Sequence, residues 1–322
     1  MHALLVGAGA VGQVYGRHLQ RGGAQVSFLV KPKHLDEVRA GFSMADLNAG
    51  GRLERFEGYG VASTLDEVRA QRFDQLWLCI SSPALRGDWL GPTIAAAGQA
   101  AGGVTVVSFQ PGLRDPQLLG PHVAPDKLVK GLIAFSSWHA PLPGGPPGPV
   151  HTAYWSPPLS PSLFEGPGAA EIAAALRTGG LPARVGPALA TTARGSAFLL
   201  PTVAAAECAG WSFAELRGES WASLAARASD QAMEISCAHL GVGRGPMGLL
   251  ASTWGVRAFT RAATLAAPFD FERFFQVHFE KVGEQTMLAL DGWIAEGQAR
   301  GLPTDALEAS RAALRAHRGQ GA

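Results

Sequence analysis

Short apolar runs alternate with stretches of helical periodicity over the first part of the chain. Residues 3–6 have the length and composition of a strand that is buried on both faces, residues 75–80 are predicted as a buried strand, and residues 25–30, 104–109 and 128–136 are also predicted as strands. Between several of these runs, apolar side chains recur every three to four positions, as they do in an amphipathic helix. This regular order of strands and helices predicts an α/β domain built on a parallel sheet.

The pattern changes near Gly186. Beyond it the strand signal stops, and helical periodicity with Gly or Pro at the junctions covers residues 188–209, 213–240, 246–263, 271–300 and 305–318. Helices alone, after strands that alternate with helices, imply a second domain. We therefore predict an α/β domain over residues 1–186 and an all-helical domain over residues 187–322.

Two proline-rich stretches, residues 140–149 and 156–162, interrupt the N-terminal pattern. We predict a surface loop for the first and an extended connection for the second, because proline and glycine break regular structure. Residues 151–155 between them are predicted as an edge strand. A helix over residues 169–178 and a short strand over residues 183–185 complete the predicted domain.

The strongest chemical signal is the sequence Gly-Ala-Gly-Ala-Val-Gly at residues 7–12, between the first apolar run and a helical stretch. Strand, glycine turn, helix and strand form the context that a GxGxxG motif needs. Gly7 would permit a tight turn, Gly9 would let a pyrophosphate approach the backbone, and Gly12 would let helix and strand pack closely. The motif predicts a dinucleotide-binding, doubly wound Rossmann sheet, and a glycine-rich turn without a nucleotide is the alternative.

The end of the second predicted strand discriminates between cofactors. An NAD-binding unit usually has an Asp or Glu there, which accepts a hydrogen bond from the ribose 2′-hydroxyl. This chain has Lys31 and Lys33 instead, and Asp36 comes too late in the sequence. Two lysines favour a 2′-phosphate, so we predict NADP(H). Two ordinary surface lysines are the alternative.

Polar residues also follow two other predicted strands. Ser81 and Ser82 come after residues 75–80, and Gln110 follows residues 104–109. Doubly wound sheets bind ligands at the carboxyl ends of their strands, so these residues are either cofactor contacts or turn residues. The predicted cofactor-binding residues are Gly7, Gly9, Ala10, Val11, Gly12, Lys31, Lys33, Ser81, Ser82 and Gln110.

Composition argues against several classes of protein. The formal net charge of +1 provides no basic field for nucleic acid. Three widely spaced cysteines without a CxxC pair fit a reducing compartment. We recognise no secretory leader and no apolar stretch long enough to span a bilayer, so we expect a cytoplasmic protein without a membrane partner.

Signals for other chemistries are weak. His139 and His151 have no third candidate ligand near them, so we predict no metal site. The sequence contains no P-loop, GxSxG or HExxH motif, which leaves kinase, hydrolase and zincin functions without support.

The layout as a whole resembles the ketopantoate reductase family. The resemblance rests on residues 7–12, on Lys31 where the family often has an arginine, and on residues 110–112 and 290–304. It implies an N-terminal Rossmann domain, an all-helical domain like the C-terminal domain of 6-phosphogluconate dehydrogenase, and NADPH-dependent reduction of a small-molecule substrate in the cleft between them. It leaves open whether the chain is a monomer or a homodimer through the helical domain.

The positions that carry the family's chemistry differ in this chain. When residues 188–209 are aligned on Pro201, Thr192 stands where the resemblance implies a proton-donating lysine. The other positions that have lost the family's asparagine or glutamate are Pro111, Ser196, Leu200 and Thr286. Ketopantoate as the substrate therefore does not carry over with the fold.

Other residues could supply the missing chemistry, because hydride reduction of a carbonyl needs a donor for the developing oxyanion. Arg194 could stabilise that charge, but an arginine is a poor acid, and an arginine at the surface or a domain interface is the alternative. Lys281 and Glu284 share a face of one predicted helix, where they could form either an acid with its orienting carboxylate or a solvent-facing ion pair. The candidate catalytic residues are Thr192, Arg194, Lys281 and Glu284.

Two functions are consistent with these patterns. We predict an NADPH-dependent oxidoreductase that reduces a carbonyl or imine of unknown identity. The alternative is a non-catalytic NADP(H)-binding sensor or assembly protein derived from the same family.

Overall fold

The computed structural model describes residues 1–320, which form two compact units. The first unit contains Met1–Gln110 and Pro116–Leu189, and the second contains Pro111–Asp115 and the chain from Ala190 onwards. The domain boundary that we placed near Gly186 from the sequence is kept as a proposal.

The part of the chain up to residue 185 contains twelve strands and six α-helices. In chain order they are β1 (His2–Val6), α1 (Ala10–Arg21), β2 (Gln25–Leu29), α2 (Leu35–Arg39), β3 (Phe42–Asp46), β4 (Leu53–Phe56), β5 (Gly60–Ala62), α3 (Leu65–Arg69), β6 (Gln75–Leu78), α4 (Leu90–Gly98), β7 (Thr105–Ser108), α5 (Asp115–Leu119), β8 (Leu128–Leu132), β9 (Ser136–Ala140), β10 (His151–Trp155), β11 (Ser162–Glu165), α6 (Ala169–Thr178) and β12 (Ala183–Val185).

Eight of these strands form the main sheet, in the order β12-β11-β8-β7-β6-β1-β2-β5. All neighbours are parallel except β8 and β11, which are antiparallel. The chain leaves β1 for β2 on one side and later returns to β6 on the other. The strand order therefore reverses at β1, and doubly wound sheets bind their ligands at such a reversal.

Strand β1 shows why the strands of the main sheet read as continuous apolar runs. Ala3 and Leu5 pack into the core on one face of the sheet, whereas Leu4 and Val6 pack into the core on the other. Successive side chains of a strand point to opposite faces, so a strand covered on both sides is apolar at every position.

The observed strand pairings, which include a second sheet in the order β4-β3-β10-β9, correct three of our sequence interpretations. Strand β10 has the predicted bounds but is an interior strand, because it pairs with β3 on one side and β9 on the other. The single strand predicted over residues 128–136 is instead β8, which belongs to the main sheet, followed by β9 in the second sheet. Strand β11 begins within the stretch predicted as an extended connection. These pairings join segments distant in sequence, so the local pattern does not contain them.

The rest of the described chain is helical. Its α-helices are α7 (Ala188–Cys208), α8 (Phe213–Leu216), α9 (Glu219–Leu240), α10 (Thr253–Ala266), α11 (Phe271–Lys281), α12 (Gly283–Arg300) and α13 (Asp305–Gln320). Apolar side chains from most of these helices form one core, in which Val203, Phe275 and Leu290 are almost completely buried.

Two predicted helices of this region are each two helices in the structure: residues 213–240 contain α8 and α9, and residues 271–300 contain α11 and α12. The backbone leaves helical geometry at Val282, with φ −112° and ψ 23°, and α12 starts at the next residue. The fold class predicted from the sequence is confirmed: a Rossmann-like sheet with helices is followed by a helical C-terminal region. None of the helices in residues 1–320 is long and apolar enough to cross a membrane.

Candidate functional site

The turn between β1 and α1 needs glycine at two positions. Gly7 has φ +98°, and a Cβ there would lie 2.9 Å from the carbonyl oxygen of Cys79. A Cβ on Gly12 would lie 2.3 Å from the carbonyl oxygen of Gly7. Both contacts are with backbone that cannot move aside, so these glycines let the strand, the turn and the helix pack together.

Gly9 is different from the other two glycines. It precedes α1 with φ −70° and ψ 178°, a conformation that any residue adopts. A Cβ built on it would meet no atom within 4 Å. The fold therefore does not require glycine at this position, and the space in front of its backbone is open.

The start of α1 is suited to an anion. Within the described chain no side chain caps this end of the helix, and its first turn, which includes Ala10 and Val11, carries no acidic residue. The first backbone N–H groups of a helix have no partner inside it, and the helix dipole is positive there. The open space at Gly9 and this helix end together fit the pyrophosphate of a dinucleotide.

Lys31 and Lys33 lie beyond the end of β2, the neighbour of β1. The two strands are parallel, with Val6 paired to Leu29, so the turn and the two lysines are at the same edge of the sheet. Both lysines are exposed, and Lys31 starts a short 3-10 turn over Pro32–His34. The structure therefore leaves two cationic groups available one strand away from the glycine turn.

Gln110 follows β7, and its side chain is used within the sheet. Its Nε2 donates to the carbonyl oxygens of Leu78 and Ile80, both at 2.8 Å. Its Oε1 accepts from Ser108 Oγ at 2.8 Å and from the N–H of Phe109 at 3.1 Å. All four hydrogen-bonding positions of the amide are occupied, which favours the turn interpretation over direct contact with a cofactor.

Ser81 and Ser82 lie just after the end of β6. Ser82 is buried, whereas Ser81 is partly exposed and precedes a 3-10 turn over Ser82–Arg86. Ser81 is therefore the more accessible of the two predicted contacts. Nearby, burial raises the pKa of the Cys79 thiol, so this side chain is a neutral packing group behind the glycine turn.

Lys130 is not among the residues predicted from the sequence. It lies on β8 between buried Val129 and buried Gly131, and its Nζ donates a hydrogen bond to the carbonyl oxygen of Gln110. The signal that could have identified it is a single lysine in an otherwise apolar run, residues 128–135. A charge is rarely placed in a buried strand without a partner or a function.

The helical unit contains the candidate catalytic residues, and Thr192 is buried there on α7. Its side-chain hydroxyl has no hydrogen-bond partner within residues 1–320. Ser196 and Leu200, four and eight positions further along the helix, are buried as well. Thr286 on α12 is completely buried, and its hydroxyl also lacks a partner in the described structure. Both threonines stand where the family resemblance implies a charged residue.

Arg194 is partly buried, and the loop after α9 engages its guanidinium. Its Nε and Nη2 donate to the carbonyl oxygen of Gly243 at 2.9 and 2.6 Å. This arrangement gives Arg194 a structural role in joining α7 to that loop, and it occupies two of the five N–H donors.

Lys281 and Glu284 do not share one helix face, which corrects the sequence interpretation. Lys281 is the last residue of α11, whereas Glu284 is in the first turn of α12, beyond the break at Val282. Both side chains are exposed, and no ion pair joins them among the interactions of the described residues. The break removes the three-residue helical spacing on which the predicted pair depended.

The described residues contain no group of three or more His, Cys, Asp or Glu side chains that could hold a metal ion.

Two histidines have pKa values well below the usual value for a histidine. Burial lowers the pKa of His18 to about 4 in the first unit, and burial lowers the pKa of His278 to about 4 in the second. Both rings are therefore neutral near pH 7.

Known proteins of the same fold cover almost the whole chain. A PanE/ApbA family ketopantoate reductase from Ralstonia eutropha JMP134 is 18% identical, with a TM-score of 0.73 and 99% of each chain covered. A D-mandelate dehydrogenase, in a ternary structure with NADH and anilino(oxo)acetate, is 13% identical, with a TM-score of 0.74 and 99% of each chain covered. A 2-dehydropantoate 2-reductase from Geobacter metallireducens GS-15 is 16% identical, with a TM-score of 0.73, and the match covers 98% of this chain and 99% of that one. A search of the curated proteins found no match.

The fold defines a class: a Rossmann-type α/β protein with a helical C-terminal region, as in the ketopantoate reductases and the D-mandelate dehydrogenase described above. Residues 3–144 match the family model described as ketopantoate reductase PanE/ApbA. The match covers somewhat less than half of the chain, and it confirms the resemblance to the ketopantoate reductase family that was recognised in the sequence.

Proposed function

We propose that the protein is an NADPH-dependent oxidoreductase that reduces a carbonyl or an imine. The observation that carries this proposal is the open space at Gly9, which sits between two glycines that the fold requires. A glycine that the fold does not require is explained by a ligand that lies against its backbone. The uncapped helix end and the reversal of strand order at β1 support the same ligand, a dinucleotide.

The choice of NADPH rests on the end of β2. Lys31 and Lys33 are exposed there, and residues 30–34 contain no carboxylate to accept from a ribose 2′-hydroxyl. The fold alone does not decide the cofactor, because the D-mandelate dehydrogenase of similar fold is described with NADH. Two ammonium groups would bind a 2′-phosphate through charge-assisted hydrogen bonds, which are stronger than neutral ones.

The chain's own residues would bind the cofactor and orient it. The N–H groups at the start of α1 would hold the pyrophosphate, Lys31 would hold the 2′-phosphate, and Ser81 could contact the half of the cofactor beyond β6. The bound nicotinamide would supply hydride. A substrate oxygen that gains negative charge then needs a proton donor, and an unperturbed alcohol such as that of Thr192 is a far weaker acid than an ammonium group.

A non-catalytic NADP(H)-binding protein is the second candidate. It is favoured by the settings of the candidate catalytic residues: Arg194 is engaged by Gly243, whereas Lys281 and Glu284 are exposed at a helix break. This candidate predicts tight cofactor binding without turnover of any substrate.

Two measurements separate these candidates. Calorimetric titration with NADPH and NADH tests the cofactor, and equal affinities or a preference for NADH would refute the NADP assignment. NADPH oxidation against a panel of 2-oxo acids, ketones and imines tests the chemistry. Turnover of any compound supports the enzyme, whereas tight NADPH binding without turnover supports the sensor.

Location and oligomeric state are further parts of the proposal. The unpaired thiols of Cys79, Cys208 and Cys237 fit a cytoplasmic protein. Large exposed side chains on the helical unit, among them Trp254 and Leu265, fit a homodimer through that unit. Analytical ultracentrifugation of the wild type would test the homodimer, and a monomer at micromolar concentration would refute it.

A further inference from the structure

The chain has only five lysines, and one of them has an unusual setting. Lys31 and Lys33 follow β2, Lys127 lies at the amino end of β8, and Lys281 ends α11; all four side chains are exposed. Lys130 is partly buried within β8. A lysine held in a sheet costs desolvation of its ammonium, so its position needs an explanation beyond solubility.

The side chain of Lys130 runs toward the carboxyl edge of the main sheet. Strands β7 and β8 are parallel, with Ser108 paired to Lys130. The Nζ of Lys130 nevertheless donates to the carbonyl oxygen of Gln110, two residues beyond Ser108. Gln110 in turn donates to the carbonyl oxygen of Ile80, just past the end of β6. The ammonium therefore lies at the edge where β6 and β7 end, which is also the edge of the glycine turn.

The strand order gives this ammonium a position relative to the proposed cofactor. Lys31 lies one strand from β1 on the β2 side, where the 2′-phosphate and the adenosine half would bind. With the pyrophosphate at β1, the nicotinamide half must lie on the opposite side, over β6 and β7. Lys130 is on β8, three strand spacings or roughly 14 Å from β1. Its ammonium, which reaches back to Gln110 after β7, is thus on the nicotinamide side.

We propose that Lys130 is the proton donor of the reduction, in place of the lysine that is missing at Thr192. This inference rests on the proposed function. For a carbonyl substrate, the carbonyl carbon gains a C–H bond from the hydride, and the π bond to oxygen breaks. The oxygen then takes a proton from the Lys130 ammonium, so an O–H bond forms as an N–H bond breaks. The substrate is reduced to an alcohol, NADPH is oxidised to NADP⁺, and the neutral amine regains its proton from water.

A purely structural role for Lys130 makes different predictions. In that case the ammonium would only hold the backbone of Gln110, and its loss would lower stability and cofactor affinity together. A proton donor instead affects the rate and its dependence on pH. The test therefore needs measurements that a structural role would not change.

The first experiment does not depend on turnover. The wild type is treated with a limiting amount of acetic anhydride, with and without saturating NADP⁺, and the acetylation of each of the five lysines is measured by mass spectrometry. We expect NADP⁺ to protect Lys31, Lys33 and Lys130, whereas Lys127 and Lys281 react equally in both samples. Unchanged reactivity of Lys130 would place it away from the cofactor and overturn the proposal.

The second experiment compares the variants Lys130→Met and Lys130→Arg with Lys127→Met, which carries the same change at the exposed lysine just before β8. We expect Lys130→Met to lower kcat about 10²–10⁴-fold, the usual contribution of a general acid. Its NADPH affinity should stay within threefold of wild type, and Lys127→Met should be active. Wild-type kcat should fall as pH rises through the pKa of the donor, whereas Lys130→Arg should lack that fall because arginine does not deprotonate.

The outcomes distinguish the two proposals. Near-wild-type kcat in Lys130→Met would overturn the assignment of Lys130 while leaving the oxidoreductase function intact. Parallel loss of NADPH affinity, stability and rate, with an unchanged pH profile in Lys130→Arg, would show a structural role and overturn it as well. A wild type that binds no NADPH would instead refute the proposed function itself.

Discussion

The glycine turn of the first unit and the candidate catalytic residues of the second differ in how much of their geometry the sequence contains. Gly7, Gly9 and Gly12 lie within six residues, and each has the backbone setting that its place in the motif implies. Thr192 and Lys281 come from different helices, and each has a setting that the spacing of residues does not reveal. A motif made by backbone over a few residues can be interpreted locally, whereas a set of side chains depends on how distant elements pack.

The largest effect that we expect concerns ketopantoate. Pro111 and Leu200 stand where the family resemblance implies amide side chains that would orient this substrate, and a misplaced substrate can react about 10²-fold more slowly. Turnover of ketopantoate with NADPH should therefore be absent, or at least ~10²-fold below what the family's chemistry would give, even with Lys130 as the proton donor. Steady-state NADPH oxidation measures it.

The variant Thr192→Lys should not restore this activity. Pro111 and Leu200 have also replaced two amide side chains that would orient the substrate, so returning one charge is insufficient. Brisk turnover by the wild type would show that the alignment of α7 is wrong or that another cation has taken over the role. Alanine variants of Arg194, Lys281 and Lys130 would then identify that cation.

The glycine turn provides the second test. Gly9→Ala places a methyl group in the open space where the pyrophosphate would lie, so we expect NADPH affinity to fall by about 2–3 kcal/mol, roughly a hundredfold. Because that methyl group meets no protein atom, the thermal unfolding midpoint should stay near wild type. Calorimetric titration and circular dichroism measure the two quantities.

Gly12→Ala is the matched control for Gly9→Ala. Its methyl group would lie 2.3 Å from the carbonyl oxygen of Gly7, so the unfolding free energy should fall by about 1–3 kcal/mol, as overpacking usually costs. If Gly9→Ala destabilised the protein as strongly as Gly12→Ala, Gly9 would be a structural glycine and the open-space argument would fail.

A third test separates NADPH from NADH. Lys31→Glu should weaken NADPH binding by about 1–3 kcal/mol, the size of a hydrogen bond to a charged group, and should leave NADH affinity nearly unchanged. Lys281→Glu makes the same charge change at an exposed lysine in the helical unit and should change neither affinity. Calorimetric titration of both cofactors decides it, and an equal loss for NADH would point to a role of Lys31 outside the 2′-phosphate.

The first unit shows how far local pattern extends. Strands β1, β6 and β7 were predicted to within two residues of their observed ends because they are largely buried and mostly apolar. The small sheet was largely missed, since β3 contains Ser43 and Asp46, and its pairing with β10 joins residues about 100 positions apart. Pairing between distant segments is decided by tertiary packing, which a local window does not contain.

The candidate site shows the same division. The glycine roles follow from the order of strand, turn and helix, so the sequence was sufficient to state them. Lys130 was missed because its role depends on Gln110, which is twenty residues away in sequence and lies just after the neighbouring strand β7. The pairing of Lys281 with Glu284 was predicted from helical spacing, and it failed because the helix breaks at Val282.

His278 tests how the helical unit responds to acid. Burial lowers the pKa of His278 to about 4, and its ring packs beside Phe274 and Phe279. The unfolded chain binds a proton near pH 6.5 and the folded chain only near pH 4, so stability is lost as pH falls from 6.5 to 4. Between pH 8 and pH 5 this loss is about 2 kcal/mol for one such histidine.

The variant His278→Leu should remove this part of the pH dependence. Urea unfolding of the wild type and the variant at pH 8 isolates the packing change, because the histidine is neutral in both states there. The same measurement at pH 5 then gives the loss of unfolding free energy that is linked to proton binding, and this loss should be about 2 kcal/mol smaller in the variant. If the unfolding free energy of the variant depended on pH as it does in the wild type, the ring of His278 would be accessible to protons in the folded state.

The smallest expected effect concerns the two threonine hydroxyls that lack partners. A buried hydroxyl without a hydrogen bond costs free energy, so Thr192→Val and Thr286→Val should each raise the unfolding free energy by about 1 kcal/mol. Thr202→Val is the matched control on α7: Thr202 is also buried, but its hydroxyl donates to the carbonyl oxygen of Phe198 at 2.8 Å, so this change should not stabilise the protein. Urea unfolding measures the stability of all three variants.

If Thr192→Val destabilised the protein as much as Thr202→Val does, the Thr192 hydroxyl would have a hydrogen-bond partner after all. If Thr192→Val instead stabilised the fold but raised KM for a substrate found in the carbonyl panel, the missing partner would be the substrate, and the helical unit would regain a defined place in the chemistry.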